Sequence, residues 1–193
     1  MTADLVLASA SPRRRELLAQ IGVRHRVQAA DVDETLRSGE AAADYVLRLA
    51  RAKAGALPAG GLPVLGADTS VVVDGRVLGK PVDDADARAM LRCLSGREHQ
   101  VLSAVALCHG ARIEARLSVT RVWFRTVSDA LVDRYVASGE PRDKAGGYGI
   151  QGLGGALVTR IDGSYTGVVG LPLAETVDLL QAFNVPFWRD IRD

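Results

Sequence analysis

The sequence places three consecutive arginines, Arg13 to Arg15, at the predicted start of a helix. A helix N-terminus is electropositive, so cations there are disfavoured unless an anion lies between them. The preceding strand and short turn are typical of a phosphate site, to which Ser9 and Ser11 add hydroxyl groups. A solvated basic helix end, with Ser11 as the N-cap and Pro12 at the first helical position, explains the segment equally well.

Asp68 is a second candidate for chemistry, because it interrupts the apolar run from Val64 to Val73. The run predicts a buried strand. An uncompensated carboxylate inside such a strand is costly, so we expect Asp68 to have a cation, a metal ion or hydrogen-bond donors as partners. The alternative is an aspartate at the end of the strand that binds only backbone amides. The apolar character of the run favours this alternative less.

Lys53 is predicted to point inward. The pattern predicts a helix over about residues 41–57, and Lys53 continues the apolar stripe formed by Val46, Leu49 and Ala50. The lysine would then face the core or a cleft in it. Taken by themselves, these residues favour the alternative, a lysine that snorkels at the edge of the stripe.

Lys80 follows a predicted hairpin. Asp74-Gly75 is a two-residue turn signal, and symmetric pairing across it brings Lys80 beside Thr69 and near Asp68. Strict alternation nevertheless places Lys80 on the face opposite Asp68, a conflict that a bend of the chain at Gly79 would relieve.

A glycine-rich segment lies near the C-terminal third of the chain. Seven glycines occur between Gly139 and Gly155, around Asp143, Lys144 and Gln151. Such a segment allows the backbone to approach a ligand closely. A flexible surface loop is the alternative, but the apolar residues within the segment favour an ordered binding loop.

The elements that position these residues alternate between helices and strands. Two long strands, at about 100–108 and 112–126, are predicted to form an antiparallel pair. A helix begins at Ser128, strands follow at 156–161 and 166–169, and a last helix ends the chain. This pattern predicts an α/β protein with a mixed sheet.

Composition excludes several classes of function. The net charge of +1 argues against binding of a nucleic-acid polymer, which requires a concentrated basic surface. No apolar run reaches the roughly 18 residues of a membrane span, and no signal peptide is evident, so we expect a cytoplasmic protein without a membrane partner. Cys93 and Cys108 suit reduced thiols, the three histidines lack metal-ligand spacing, and no P-loop motif is present.

Six segments, in family order, resemble the Maf family of nucleoside triphosphate pyrophosphatases. They are Leu7-Ala8-Ser9-x-Ser11-Pro12-Arg13-Arg14-x-Glu16-Leu17-Leu18, Gly66-Ala67-Asp68-Thr69, Gly79-Lys80-Pro81, Leu94-Ser95-Gly96-x-x-His99-x-Val101, Asp143-Lys144-Ala145-Gly146-Gly147-Tyr148-Gly149-Ile150-Gln151-Gly152 and Gly170-Leu171-Pro172-Leu173. The resemblance implies an elongated, twisted mixed sheet flanked by helices, like that of the inosine triphosphate pyrophosphatases. It also implies a single domain over residues 1–193, with two lobes and a nucleotide cleft between them.

The resemblance also implies roles for particular residues. Asp68 would be the general base, and Glu34, alone or with Asp68, would bind Mg²⁺ or Mn²⁺. The expected substrate-binding residues are Ser9, Arg13, Arg14, Lys53, Thr69, Lys80 and Gln151. Phosphate would be contacted by Ser9, Arg13, Arg14, Lys53 and Lys80. Thr69 and Gln151 occupy base-recognition positions.

Pro12, Thr69 and Gln151 match the subclass that acts on dTTP and UTP. The subclass that acts on 7-methyl-GTP usually has tryptophan at the proline and glutamate at the glutamine. The resemblance therefore implies hydrolysis of dTTP and UTP to the monophosphate and pyrophosphate, by a homodimer. The alternatives are a regulatory nucleotide-binding protein linked to septum formation, a 7-methyl-GTP pyrophosphatase, and a hydrolase of another nucleotide-type phosphate ester.

Overall fold

The computed structural model describes residues 2–57 and 61–189, in which seven strands form one sheet with helices on both faces. The strands are β1 (Leu5–Leu7), β2 (His25–Val27), β3 (Val64–Val73), β4 (Arg76–Leu78), β5 (Glu98–His109), β6 (Arg112–Phe124) and β7 (Val158–Asp162). The helices are α1 (Pro12–Gln20), α2 (Ala42–Gly55), α3 (Asp84–Leu94), α4 (Asp129–Ala137), α5 (Tyr165–Val169) and α6 (Leu173–Ala182). No helix in these ranges is both long and apolar enough to cross a bilayer.

The sheet is mixed, as the sequence predicts. Its strand order is β2-β1-β3-β5-β6-β7, with β4 also paired to β3. β1 runs parallel to β2 and β3, whereas the other pairs are antiparallel. The predicted bounds of β3 and the predicted hairpin register, in which Val72 pairs with Val77, are both confirmed.

β3 has a gap along one edge. Its other edge pairs with β5 from Val64 to Val72. On the gapped edge, β1 pairs only as far as Leu65, and β4 pairs only from Val71 onward. Within the described ranges, residues 66–70 therefore have no strand partner on that edge, and side chains from both faces of β3 can reach the opening.

The two faces of β3 pack differently. Even-numbered residues face α2, where Val72 packs with Val46 and Ala50. On the odd-numbered face, Leu65 and Ala67 belong to one apolar cluster with α1 and α6, whereas Val71 and Val73 belong to another with α3 and α4. Between these clusters, Thr69 Oγ1 and Ser103 Oγ share a 2.9 Å hydrogen bond, so polar side chains interrupt the core here.

The strand predicted at residues 166–169 is wrong, because these residues lie in helix α5. Ser164 caps this helix by accepting a 3.0 Å hydrogen bond from the Gly167 amide. Thr120 Oγ1 in turn accepts a hydrogen bond from the Ser164 amide at 2.9 Å. A capped turn held from a neighbouring strand thus overrides the local preference of Thr166, Val168 and Val169 for a strand. The single domain over residues 1–193 stays a prediction.

Candidate active site

A cavity of about 910 Å³ opens at the gapped edge of β3. This volume is in the range of small-molecule sites in proteins. All the residues that the sequence analysis singles out for the site line it, namely Ser9, Arg13, Arg14, Glu34, Lys53, Asp68, Thr69, Lys80 and Gln151. The structure therefore brings together residues that are up to 142 positions apart in the sequence.

Lys53 joins the two carboxylates of the site. Its Nζ lies 2.8 Å from Asp68 Oδ1 and 2.7 Å from Glu34 Oε1. Lys53 and Asp68 are only 8% and 7% exposed, whereas 54% of the Glu34 side chain is exposed. Lys53 is thus not a snorkelling lysine, and Asp68 has the cationic partner that its burial requires.

The close packing of α2 on β3 places Lys53 beside Asp68. A β-carbon at Gly66 would lie 2.4 Å from the Ala50 carbonyl oxygen and 2.5 Å from the Ala54 nitrogen. Only glycine allows the helix to come this near, and Lys53 lies on the same helical turn.

Burial and charge shift the pKa values of the carboxylates in opposite directions. Burial raises the pKa of Asp68, although Lys53 and Arg14 act to lower it. For Glu34 the same loss of hydration acts upward, but the hydrogen bond and charge of Lys53, together with Lys80 and Arg14, lower its pKa overall. Burial thus strengthens Asp68 as a base, whereas the neighbouring cations weaken Glu34 as one.

Helix α2 also positions the loop that carries Glu34. The Tyr45 hydroxyl donates to the Glu34 carbonyl oxygen at 2.8 Å, and Arg48 Nη2 donates to the Thr35 carbonyl oxygen at 3.1 Å. Arg48 is itself held by a bidentate ion pair with Glu40. The loop has no regular secondary structure, so these contacts from one helix fix its course.

The arginines at the start of α1 have different environments. Arg14 donates from Nε to the Gly170 carbonyl oxygen at 2.8 Å and from Nη1 to Ser9 Oγ at 3.0 Å. Arg13 pairs with Asp143 at 3.0 Å. Arg15 is exposed. Loss of hydration lowers the pKa of Arg14, which indicates that an anion at this point would gain strongly from its charge.

Lys80 lies just beyond β4, which ends at Leu78. It is exposed, lines the cavity and makes no ion pair with any residue in the described ranges. Because it lies past the last pair of the hairpin, strand alternation does not hold it away from Asp68. Its positive charge also helps to lower the pKa of Glu34.

The glycine-rich segment is ordered, as predicted, and contains three short 3₁₀ turns at Glu140–Asp143, Ala145–Gly147 and Leu153–Leu157. The side chains of Tyr135 and Glu140, which no sequence pattern singles out, bind the backbone of this segment. A charged residue at the edge of a glycine cluster was the available signal for Glu140.

A buried group of three rings includes one residue that lines the cavity. His99 Nε2 shares a 2.8 Å hydrogen bond with the hydroxyl of Tyr148, a cavity-lining residue. The ring of Phe124 packs edge-on against both. His99 Nδ1 has no partner among the described residues, and burial lowers the pKa of His99 to about 4. His99 is therefore neutral near pH 7.

The donor set fits a hard divalent cation shared with a ligand. The described residues contain no cluster of three or more metal-ligating side chains. Glu34 and Asp68 nevertheless direct one oxygen each at the same point, where Lys53 Nζ now lies. Magnesium commonly binds one or two carboxylates, with phosphate oxygens and water completing its shell.

The Maf-like protein family model matches residues 4–183. A dTTP/UTP pyrophosphatase of Alcanivorax borkumensis is 56% identical over 190 residues, which cover 96% of this chain and 98% of the relative. A dTTP/UTP pyrophosphatase of Hahella chejuensis is 54% identical over 191 residues, which cover 96% of this chain and 95% of the relative.

Among solved structures, the Staphylococcus aureus Ham1 protein is 16% identical, with a TM-score of 0.49 over 93% of this chain and 97% of that one. Because the family model spans nearly the whole chain and the curated relatives share more than half of its residues, the chain belongs to the Maf family.

Proposed function

We propose that this protein is a nucleoside triphosphate pyrophosphatase that hydrolyses dTTP and UTP to the nucleoside monophosphate and pyrophosphate. The observation that carries the proposal is the buried Lys53–Asp68 pair in a cavity lined by further cations. Positioning and charge neutralisation supply most of the catalysis in phosphoryl and nucleotidyl transfer. The names of the relatives, dTTP/UTP pyrophosphatase, support the substrate assignment.

The triphosphate would lie against the cations of the cavity. In this proposal Arg13, Arg14 and Lys80 bind phosphate oxygens, and Ser9 donates from its hydroxyl to the same group. Lys80 has no competing ion pair among the described residues. Arg13 would exchange part of its contact with Asp143 for phosphate when the substrate binds.

Asp68 would act as the general base. Lys53 binds its Oδ1, while Oδ2 makes no hydrogen bond within the described ranges and can accept a proton from water. The raised pKa of Asp68 strengthens it as a base but sets a lower pH limit, since protonation removes its function. As water attacks the α–β anhydride, its oxygen bonds to phosphorus, its proton passes to Asp68 and pyrophosphate departs.

Glu34 and Asp68 would hold the divalent cation, with Mg²⁺ or Mn²⁺ as the expected metal. The cation would neutralise phosphate charge and polarise the anhydride when bound. Lys53, which now joins the two carboxylates, would remain close enough to contact phosphate.

Gln151 and Thr69 would select the base. A glutamine amide offers both a donor and an acceptor, which complements the O4 and N3 edge of a pyrimidine. A carboxylate at position 151 would instead suit the cationic ring of 7-methylguanine.

Product analysis tests the proposal. We expect the purified protein with magnesium to convert dTTP and UTP to monophosphate and pyrophosphate, and 7-methyl-GTP far more slowly. Asp68→Asn should lower kcat by about 10²–10⁴-fold while dTTP still binds in calorimetry. Release of orthophosphate and diphosphate, or no turnover of either pyrimidine nucleotide, would refute the proposal. Wild-type turnover by Asp68→Asn would refute only the assignment of the base.

We extend the proposal to a homodimer that resides in the cytoplasm, as the family resemblance implies. Sedimentation of the purified protein and fractionation of cells test these two points directly.

A further inference from the structure

The backbone around Gln151 is bound by one carboxylate to which the proposed mechanism gives no role. We call residues 149–154 the Gln151 loop. Glu140 Oε1 accepts hydrogen bonds from the Gly154 amide at 3.0 Å and the Tyr135 hydroxyl at 2.8 Å. Glu140 Oε2 accepts a third from the Leu153 amide at 2.9 Å. The C-terminal end of the loop is therefore fixed to a single side chain.

Tyr135 fixes the other end. Its hydroxyl oxygen accepts a 3.1 Å hydrogen bond from the Gly149 amide while it donates to Glu140. Between the two ends, Ile150 packs against the apolar core, and Gln151 is exposed and lines the cavity. The loop thus has both ends bound and one side chain half-buried, and Gln151 is its exposed polar side chain at the cavity.

The glycines of the loop fit this arrangement. A β-carbon at Gly152 would lie 2.3 Å from Glu140 Oε2, and one at Gly154 would lie 2.6 Å from the Tyr135 hydroxyl. Neither position has room for a side chain. These glycines therefore serve close approach of the backbone to Glu140 and Tyr135, rather than flexibility.

We propose that Glu140 and Tyr135 are positioning residues that fix the Gln151 loop and thereby set the selectivity of the site for the pyrimidine base. Selectivity by hydrogen bonding depends on donors and acceptors held in one geometry, since a loose amide can satisfy several bases. The selectivity part of this inference rests on the proposed function, which supplies the substrate. The structural part, that Glu140 and Tyr135 fix the loop, does not.

Glu140 is ionised in this role. Burial acts to raise its pKa, but the amides of Gly154 and Leu153, the Tyr135 hydroxyl and the charge of Lys144 lower it overall. At neutral pH the carboxylate can accept all three hydrogen bonds. A glutamine of the same size would turn an NH₂ group toward one of the two backbone donors.

A double-mutant cycle tests the effect on selectivity. Glu140→Gln should lower kcat/KM for dTTP by about tenfold, mainly through KM, and should narrow the preference for dTTP over 7-methyl-GTP. In a Gln151→Ala background the same change should have less than about a twofold effect. Glu98→Gln, a matched change at an exposed residue of β5, should have no effect in either background.

Amide hydrogen exchange without ligand tests the structural part. Glu140→Gln and Tyr135→Phe should each speed exchange at Gly149, Leu153 or Gly154 by about tenfold, because a bound donor is released. Tyr135→Phe keeps the aromatic ring in its apolar cluster. If Glu140→Gln does not fold, Tyr135→Phe therefore replaces it in the double-mutant cycle with Gln151→Ala.

The outcomes separate the two proposals. Failure of the wild-type protein to cleave dTTP and UTP would refute the proposed function. Amide hydrogen exchange would still decide whether Glu140 and Tyr135 fix the loop. Unchanged exchange in both variants would overturn the inference. Faster exchange with equal losses of dTTP cleavage in both Gln151 backgrounds would overturn its selectivity part.

Discussion

Replacement of Gly66 by alanine should push α2 away from β3 and so displace Lys53 in the site. The new β-carbon would lie 2.4 Å from the Ala50 carbonyl oxygen, whereas a carbon–oxygen contact needs about 3.3 Å. The helix must therefore retreat by close to 1 Å, and Lys53 moves with it. Overpacking of this size costs about 1–3 kcal/mol of unfolding free energy, and a 1 Å displacement at a reacting group costs about 10²-fold in rate.

Gly55→Ala is the matched control, because Gly55 ends the same helix and a β-carbon there would meet nothing within 4 Å. It should keep activity and stabilise the protein slightly, by no more than about 1 kcal/mol. Urea unfolding and steady-state hydrolysis of dTTP measure the two effects. If Gly66→Ala has wild-type stability and turnover, the close approach of α2 does not position Lys53.

Two further predictions concern buried ionisable groups. Lys53→Met leaves Asp68 buried without its nearest cation, so urea unfolding should show a loss of about 3 kcal/mol. Asp68→Asn leaves Lys53 paired with Glu34 and should cost less than about 1 kcal/mol; equal losses would contradict this asymmetry. His99 has a folded-state pKa of about 4 against an ordinary 6.5, so the unfolded chain takes up the proton first as pH falls. The contribution of His99 to the unfolding free energy should then decrease by about 3 kcal/mol between pH 6.5 and 4, and His99→Gln should remove this part of the pH dependence.

Local sequence patterns were sufficient to predict β3 and α2, the strand and the helix that carry Asp68 and Lys53. The apolar run from Val64 to Val73, bounded by Pro63 and the Asp74-Gly75 turn, fixes the ends of β3 and the register of its hairpin. The helical stripe of α2 places Lys53 on the buried side of the helix, because periodicity determines which side of a helix is buried. Taken alone, however, it favours a snorkelling lysine, and only the family resemblance favours the buried position.

Contacts between distant segments were beyond such patterns. Helix α5 depends on Thr120, which lies 44 residues before the Ser164 that it holds. The role of Glu140 depends on the fold of a segment in which no periodic signal exists. The family resemblance supplied the roles predicted for the cavity residues, but neither it nor the pattern showed that Lys53 binds both Asp68 and Glu34.

The gap in the edge of β3 gives residues on both faces of this strand access to the cavity. Adjacent residues of a strand point to opposite faces, so Asp68 faces α2 and Lys53, while Thr69 faces Ser103 between the two apolar clusters. In a strand paired along both edges, these side chains would lie in separate environments. Because β1 ends its pairing before residue 66 and β4 begins at Val71, the opening reaches both faces at once. In the proposed function, Asp68 at the phosphate and Thr69 at the base therefore lie one residue apart, on a strand whose other edge pairs with β5.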